Sequence, residues 1–171
     1  MDPSLVIFLH SHRYDRLYQA ASLLLAASAM GWRCHLFLFH GALASYVAGT
    51  WDERNITGPP SGGTGAPGQA PGESAAATAA TAPESAALGR VAWPEWAQRL
   101  QDGFDAGNFR SLYWMVEKAA GESGGLKILA CSTSCRLLEL DLAGVRKKVD
   151  EVVGLPTMMK IAESARHALY I

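Results

Sequence analysis

The sequence predicts an α/β protein in which a parallel sheet is covered by helices on both faces. Short apolar runs, typical of strands buried on both sides, alternate along the chain with segments of helical periodicity. The hydrophobic content of 49% suits a globular protein. The formal net charge of −1 argues against a domain that binds nucleic acid through a basic excess.

The N-terminal block contains two predicted strands and two predicted helices. Ser4 to Leu9 is an apolar run that predicts the first strand, and a helix follows from Tyr14 to Met30. Gly31 comes directly after this helix, where glycine commonly ends helices. Cys34 to Phe39 predicts the second strand, and Gly41 to Gly49 a short helix.

The segment from Gly58 to Arg90 differs from the rest of the chain. It consists almost entirely of Gly, Pro, Ala, Ser and Thr, and Leu88 is its one large aliphatic residue. Such a segment buries too little apolar surface to offset the entropy lost on ordering. We therefore predict a disordered, flexible insertion at 58–90 within a single domain that spans residues 1–171.

The C-terminal block continues the alternation of helices and strands. It begins with a short predicted helix at Pro94 and a second helix, which has Asn108 as N-cap and an apolar stripe from Phe109 to Ala120. A strand from Leu126 to Ala130 and a helix from the Cys131 turn to about Leu140 follow. The last predicted elements are a strand from Val149 to Val153, a helix from Pro156 to His167 and a strand from Ala168 to Ile171. Neither block holds enough strands for a complete sheet, so we expect the two blocks to form one sheet together.

Polar and reactive side chains follow the first three predicted strands. His10 and His12 follow the first strand, and His40 follows the second. Cys131, Ser132, Thr133, Ser134 and Cys135 follow the third. Because the carboxyl ends of parallel strands lie at one edge of the sheet, where ligands commonly bind, we expect these residues at a common edge.

Cys131 lies between a predicted strand and a predicted helix start, where free N–H groups and the helix dipole favour an anion. A thiolate at such a position is reactive, although a small apolar core residue fits the pattern equally well. Cys135 either resolves an oxidised or persulfidated Cys131 or packs on the inner face of its helix. Thr133 or Ser134 is expected to be the N-cap of that helix.

The histidines leave three interpretations open. His10, His12, His40 and Cys131 have the donor types of a zinc or copper site, but no Cys-x-x-Cys pair supports one. The histidines otherwise cap helices or face solvent, or one of them lowers the pKa of Cys131 or moves protons. We predict neither a bound metal nor a cofactor.

The chain lacks the signals of membrane insertion and secretion. No run approaches the roughly 18 apolar residues of a membrane span, and the first apolar run is too short for a signal peptide. Three cysteines, an odd number, favour free thiols in a reducing cytoplasm, with Cys34 in the core. We therefore expect a cytoplasmic protein with no membrane partner.

Three segments together resemble the DsrE/DsrF-like family of sulfur-relay proteins. They are the first strand and helix with CHLFLFHGAL, the strand and turn LKILACSTSCRLLEL, and the closing VDEVVGLPTMMKIAESARHALYI, whereas the 58–90 insertion lies outside the resemblance. The resemblance implies a flavodoxin-like three-layer sandwich with a five-stranded sheet, and homo- or hetero-oligomers that are often trimer-based. It also implies that Cys131 carries sulfur as a persulfide.

Two functions follow as expectations. In the first, the chain is a sulfurtransferase-like sulfur carrier that exchanges sulfane sulfur with donor and acceptor proteins through Cys131. In the second, it is a non-catalytic oligomeric module that binds a small ligand or metal at the histidine-rich edge. The predicted binding residues are His10, His12, His40, Ser132, Thr133 and Cys135. Neither function involves nucleic acid.

Overall fold

The computed structural model describes residues 3–52, 99, 102–103, 106–107, 110–122 and 125–171. Residues 1–54 together with 110–171 form one compact unit and residues 55–109 form another, and the first unit is the one described below. The predicted insertion at 58–90, the helix at Pro94 and the cap Asn108 lie outside the described residues. The single-domain organisation therefore stays a prediction.

The described residues form five strands in one parallel sheet. The strands are β1 Ser4–Leu9, β2 Arg33–Leu38, β3 Leu126–Cys131, β4 Glu151–Val153 and β5 His167–Tyr170. Their order across the sheet is β4-β3-β2-β1-β5, and each neighbouring pair is parallel. Two strands come from the N-terminal block and three from the C-terminal block, so the two blocks complete one sheet as predicted.

Six helices connect or flank these strands within the described residues. They are α1 Tyr14–Ala29, α2 His40–Ala48, α3 Leu112–Gly121, α4 Ser132–Leu137, α5 Leu142–Arg146 and α6 Leu155–Glu163. The predicted flavodoxin-like α/β architecture is thereby confirmed. Within the described part of the chain, no helix combines the length and the apolar character that a membrane span needs.

The strand order determines which face of the sheet each helix covers. The chain steps from β1 to β4 in one direction and then returns across the sheet to β5. Because parallel crossovers are right-handed, the connections from β1 to β4 lie on one face, and α6, in the returning connection, lies on the other. We call these the α1 face and the α6 face.

The α1 face is a closed hydrophobic layer. Ile7, Leu9, Leu36 and Leu38 point to it and are fully buried, as are Leu17 and Leu24 of α1. Cys34 also lies here, with the hydroxyl of Ser28 in α1 at 3.6 Å from its Sγ. Cys34 is therefore a core residue, as predicted.

The α6 face has a separate core. Its buried cluster consists of Val6, Phe8, Phe37, Phe39, Leu129, Cys131 and Met158. Met158 comes from α6, and partly buried Ile161, Ala162 and Ala165 pack beside it. At the β5 side, the ring of Tyr170 stacks on Phe8 with 4.5 Å between centroids, yet Tyr170 remains 67% exposed.

Two predicted helix boundaries differ in the structure. Helix α3 begins at Leu112, and its N-cap is Ser111, whose Oγ accepts a hydrogen bond from the N–H of Trp114. The helix predicted from the Cys131 turn to Leu140 ends at Leu137. The chain then turns at Glu139 with φ +50°, and the carboxylate of Asp141 caps α5 by accepting from Ala143 and Gly144. The side-chain cap of Asp141 therefore begins a separate helix after this turn.

Candidate functional site

The carboxyl edge of the sheet places several predicted site residues on the α6 face. Cys131 is in register with Val153 of β4, and Phe37 with Leu129 of β3. Beyond β2 the alignment with β1 continues, since the N–H of Phe39 donates to the Leu9 carbonyl at 3.0 Å. Side chains of neighbouring parallel strands share a face, so Cys131, Phe39 and His10 belong to the same face at this edge.

His10 is held by its backbone between β5 and α2. Its N–H donates to the Ile171 carbonyl at 3.0 Å, and its own carbonyl accepts from the N–H of Ala42 at 3.2 Å. The imidazole stacks on the Phe39 ring at 4.5 Å between centroids, with 12° between the planes. Partial burial, and to a smaller extent the nearby His40, lower the pKa of His10 below its usual value. The neutral imidazole is thereby favoured.

His12 and His40 lie beside His10 at the start of α2. The ring centroids of His10 and His40 are 6.0 Å apart. His40 has φ +39°, a left-handed conformation that is uncommon for residues other than glycine. A Cβ added at Gly41 would lie 2.7 Å from Nδ1 of His12, so glycine allows the imidazole its close approach to α2. The three histidines thus converge, as the sequence predicts.

The geometry of this edge does not form a metal site. In the described ranges, no group of three or more His, Cys, Asp or Glu side chains could hold a metal ion. The zinc or copper interpretation of His10, His12, His40 and Cys131 therefore has no ligand set among these residues. What the edge offers instead is imidazole nitrogens beside aromatic rings, which suit hydrogen bonding and stacking with a small molecule.

Cys131 lies at the predicted junction between strand and helix. It is the last residue of β3, and its backbone occupies the N-cap position of α4. Its side chain, however, belongs to the buried cluster of the α6 face, where only 4% of the residue is exposed. The start of α6 is close by, because a Cβ at Gly154 would be 3.9 Å from Oγ of Ser132. Met158 of α6 belongs to the same buried cluster as Cys131, so α6 packs over the layer that contains the thiol.

Cys135 and the two predicted capping residues lie in α4. Cys135 is buried, and its pKa is raised mainly by burial and also by the proximity of Cys131. The expectation that Thr133 or Ser134 is the N-cap is wrong, because the helix starts earlier, at Ser132, and no side chain caps it. Thr133 is exposed. Ser134 is buried, and its Oγ has no hydrogen-bond partner among the described residues.

The structure therefore brings the predicted residues together in two groups. His10, His12 and His40 surround the start of α2, and Cys131, Ser132 and Cys135 lie where β3 passes into α4. Phe39 belongs to the same buried cluster as Cys131 and is stacked by His10. Sequence reasoning missed Phe39 and the covering residue Met158, because both belong to ordinary apolar patterns.

No protein-family model matches the chain, and no curated protein matches it either. The resemblance to the DsrE/DsrF-like family therefore stays a prediction.

Proposed function

We propose that this protein is a sulfur carrier in which Cys131 holds sulfane sulfur as a persulfide. The observation that carries the proposal is the place of Cys131, at the carboxyl end of an inner strand of a parallel sheet and at a helix start. A second thiol, Cys135, follows one helical turn later. The resemblance of the same segment to sulfur-relay proteins supports this assignment.

The transfer needs only thiol chemistry. The Cys131 thiol loses its proton to solvent, and the thiolate attacks the outer sulfur of a donor persulfide. The donor S–S bond breaks, the donor leaves as a thiolate, and Cys131 becomes a persulfide. An acceptor thiolate then attacks the outer sulfur of this persulfide and regenerates Cys131. Each step exchanges one S–S bond for another, so no oxidant, metal or cofactor is required.

Access to the thiol depends on α6. Met158 is the one buried residue of this helix, whereas Leu155 and Met159 are each about half exposed. A cover held by so few buried contacts opens locally at a lower free energy than the whole protein unfolds. In the structure, Cys131 shares a buried cluster with Phe39, Leu129 and Met158 and is only 4% exposed to water. A buried thiol that becomes accessible only intermittently suits a carrier that must retain its persulfide sulfur between contacts with donor and acceptor proteins.

The test is the intact mass of the protein after treatment with a persulfide donor. We expect the wild type to gain sulfur that a reducing agent removes, and the Cys131→Ser variant to lose that gain. Cys34→Ser, which alters the buried thiol of the α1 face, is the matched control and should behave as the wild type. If Cys131→Ser gains the same adducts as the wild type, or if neither protein gains any, Cys131 is not a carrier.

The convergence of three histidines favours a second candidate, a non-catalytic module that binds a small ligand at the carboxyl edge. Its support is the close approach of His12 to Gly41 and the unusual backbone of His40. Metal analysis of protein purified without a histidine tag separates the two forms of this candidate. Because the described residues contain no metal-ligand set, we expect less than about a tenth of an equivalent of metal, which would leave the organic-ligand form, whereas stoichiometric metal would establish the metal form.

Assembly and location belong to the same proposal. We expect a cytoplasmic homo-oligomer that is trimer-based, as the resemblance implies, with donor and acceptor proteins as transient partners. Sedimentation equilibrium measures the assembly directly, and a monomer at all concentrations would contradict it.

A further inference from the structure

His10 presents an exposed ring at the carboxyl edge of the sheet, on the α6 face. One side of its imidazole stacks on Phe39, with 4.5 Å between the ring centroids and 12° between the planes. Phe39 is buried, whereas His10 is exposed. The stacked pair therefore consists of a buried ring beneath and an exposed ring above.

His40 lies beside this stacked pair. Its ring centroid is 6.0 Å from that of His10 and 6.4 Å from that of Phe39, and its plane is tilted by 32° and 40° to theirs. Because the two distances are nearly equal, the His40 ring is level with the space between the other two rings. The outer face of the His10 imidazole is therefore covered by neither neighbour.

The ring of His10 is held in place by its surroundings. The backbone N–H of His10 donates to the Ile171 carbonyl at 3.0 Å, and its carbonyl accepts from the N–H of Ala42 at 3.2 Å. These two bonds fix the backbone, and Phe39 fixes the plane of the ring. A side chain fixed in this way loses little conformational entropy when a molecule binds to its outer face, so it is preorganised for binding.

Two further imidazoles belong to the same edge, at the start of α2. His40 has φ +39°, a left-handed conformation that is strained in residues other than glycine, and such strain clusters at functional sites. Gly41 lacks the Cβ that would lie 2.7 Å from Nδ1 of His12. The local backbone thus accepts both imidazoles close to α2. A neutral imidazole offers one hydrogen-bond donor and one acceptor.

The charged side chain that follows these rings in the chain is compensated. Arg13 comes directly after His12, and its guanidinium donates two hydrogen bonds, each 3.0 Å long, to the two carboxylate oxygens of Asp15. An anionic group bound at His10 would therefore gain little from Arg13. The edge suits a ligand that is uncharged.

We propose that this edge binds a small, uncharged, planar heteroaromatic molecule, of the size of a nucleobase, that stacks on the outer face of His10. Polar atoms at the rim of the ligand pair with the imidazoles of His12 and His40. The inference rests on the second candidate function above and names the class of its ligand. No cysteine takes part, so the persulfide test at Cys131 and the binding test below answer separate questions.

The test is an NMR titration of the full chain with adenosine and with uridine, which present a purine and a pyrimidine on the same sugar. The ring protons of the five histidines report the binding, and each signal is assigned from its substitution variant. We expect a saturable shift of the His10 signal with at least one nucleoside, and no shift with ribose, which lacks the ring. The signals of His35 and His167, at the amino end of the sheet, should stay unchanged.

Substitutions at two stacked rings locate the site. Tyr170 is the matched position, because its exposed ring stacks on the buried Phe8 with 4.5 Å between centroids and 8° between planes. His10→Leu should raise the Kd at least about fivefold, the usual consequence of losing one aromatic stacking contact. His10→Phe, which keeps a ring on Phe39, should retain most of the affinity, and Tyr170→Leu should leave the Kd unchanged.

Three outcomes would overturn the proposal. The first is the absence of a saturable His10 shift with either nucleoside up to about 10 mM, which is weaker than the affinity expected of a formed site. The second is an equal loss of affinity in His10→Leu and Tyr170→Leu, which would show that the nucleosides adhere to any exposed ring. The third is clearly tighter binding of AMP than of adenosine, which would show that the edge recognises an anion.

Discussion

The two faces of the sheet are made from the same strands but are covered very differently. On the α1 face, the strand side chains lie under a 16-residue helix that buries seven of its own residues. On the α6 face, the cover is a nine-residue helix that buries one. Cys131, the stacked His10 and His35 all lie on the thinly covered face.

This difference shows how one fold separates stability from function. The α1 face contributes apolar burial, the dominant favourable term in folding. The α6 face places titratable and nucleophilic side chains, such as Cys131 and His35, where a purely structural layer would hold aliphatic ones. Regions that open or bind are drawn from the less stable parts of a protein, and here the strand order assigns them to one face.

The largest expected effect is on the α1 face. Leu24 of α1 is fully buried, so Leu24→Ala should reduce the free energy of unfolding by about 2 to 5 kcal/mol through lost burial and the cavity left behind. Urea denaturation measures this, and Leu23→Ala, at a partly exposed position of the same helix, should cost clearly less. Equal losses in the two variants would mean that the α1 face is not the main stabilising layer.

A smaller effect on stability, but a larger one on reactivity, is expected for Met158→Ala on the α6 face. Met158 is the one buried residue of the short helix α6, so its truncation lets this helix repack or detach locally. The free energy of global unfolding should therefore fall less than in Leu24→Ala. Opening should raise the labelling rate of Cys131 at least about tenfold, which corresponds to about 1.4 kcal/mol of local stability.

The measurement is the rate of alkylation at each cysteine, resolved by peptide mass. Met159→Ala is the matched control, because this neighbour is half exposed and should leave the rate unchanged. Cys34, beneath α1, should stay unreactive in both variants. If Cys131 labels equally fast in the Met158 and Met159 variants, α6 does not control access to the thiol.

The sequence predicts the fold well where apolar periodicity decides it. Strand β1 has the predicted bounds, and α1 ends one residue before its predicted end. The N-cap of α3 was missed because Ser111 is fixed by a distant partner, its Oγ donating to Asp52 at 2.6 Å. Such a contact between residues far apart in the chain leaves no local pattern.

The candidate site was predictable only in part. Parallel topology was enough to place His10, His40 and Cys131 at one edge. The face to which Cys131 points was not predictable, because β3 is buried on both sides and its apolar run has no alternation. The cover over the thiol was equally hidden, since α6 comes from a connection that returns across the whole sheet.

The smallest expected effect concerns the two histidines of the α6 face. Burial lowers the pKa of both His10 and His35 in the folded protein, so the folded state favours their neutral forms. The unfolded chain binds more protons near and below its ordinary histidine pKa of about 6.5. Protonating these histidines therefore costs more in the folded protein than in the unfolded chain. The free energy of unfolding is highest above this pH and decreases as the pH falls below it. His35 is more enclosed than the exposed His10, so it should contribute more of the loss.

Urea denaturation between pH 7.5 and pH 5 tests this order, with the slope of stability against pH as the readout. His35→Gln should flatten the slope more than His10→Gln, and His12→Gln, an exposed position, serves as the reference. A slope that His10→Gln and His35→Gln both leave unchanged would mean that neither imidazole is held neutral by the fold. Burial on the α6 face would then not disfavour protonation of the two histidines, and they would differ from surface histidines only in their neighbours.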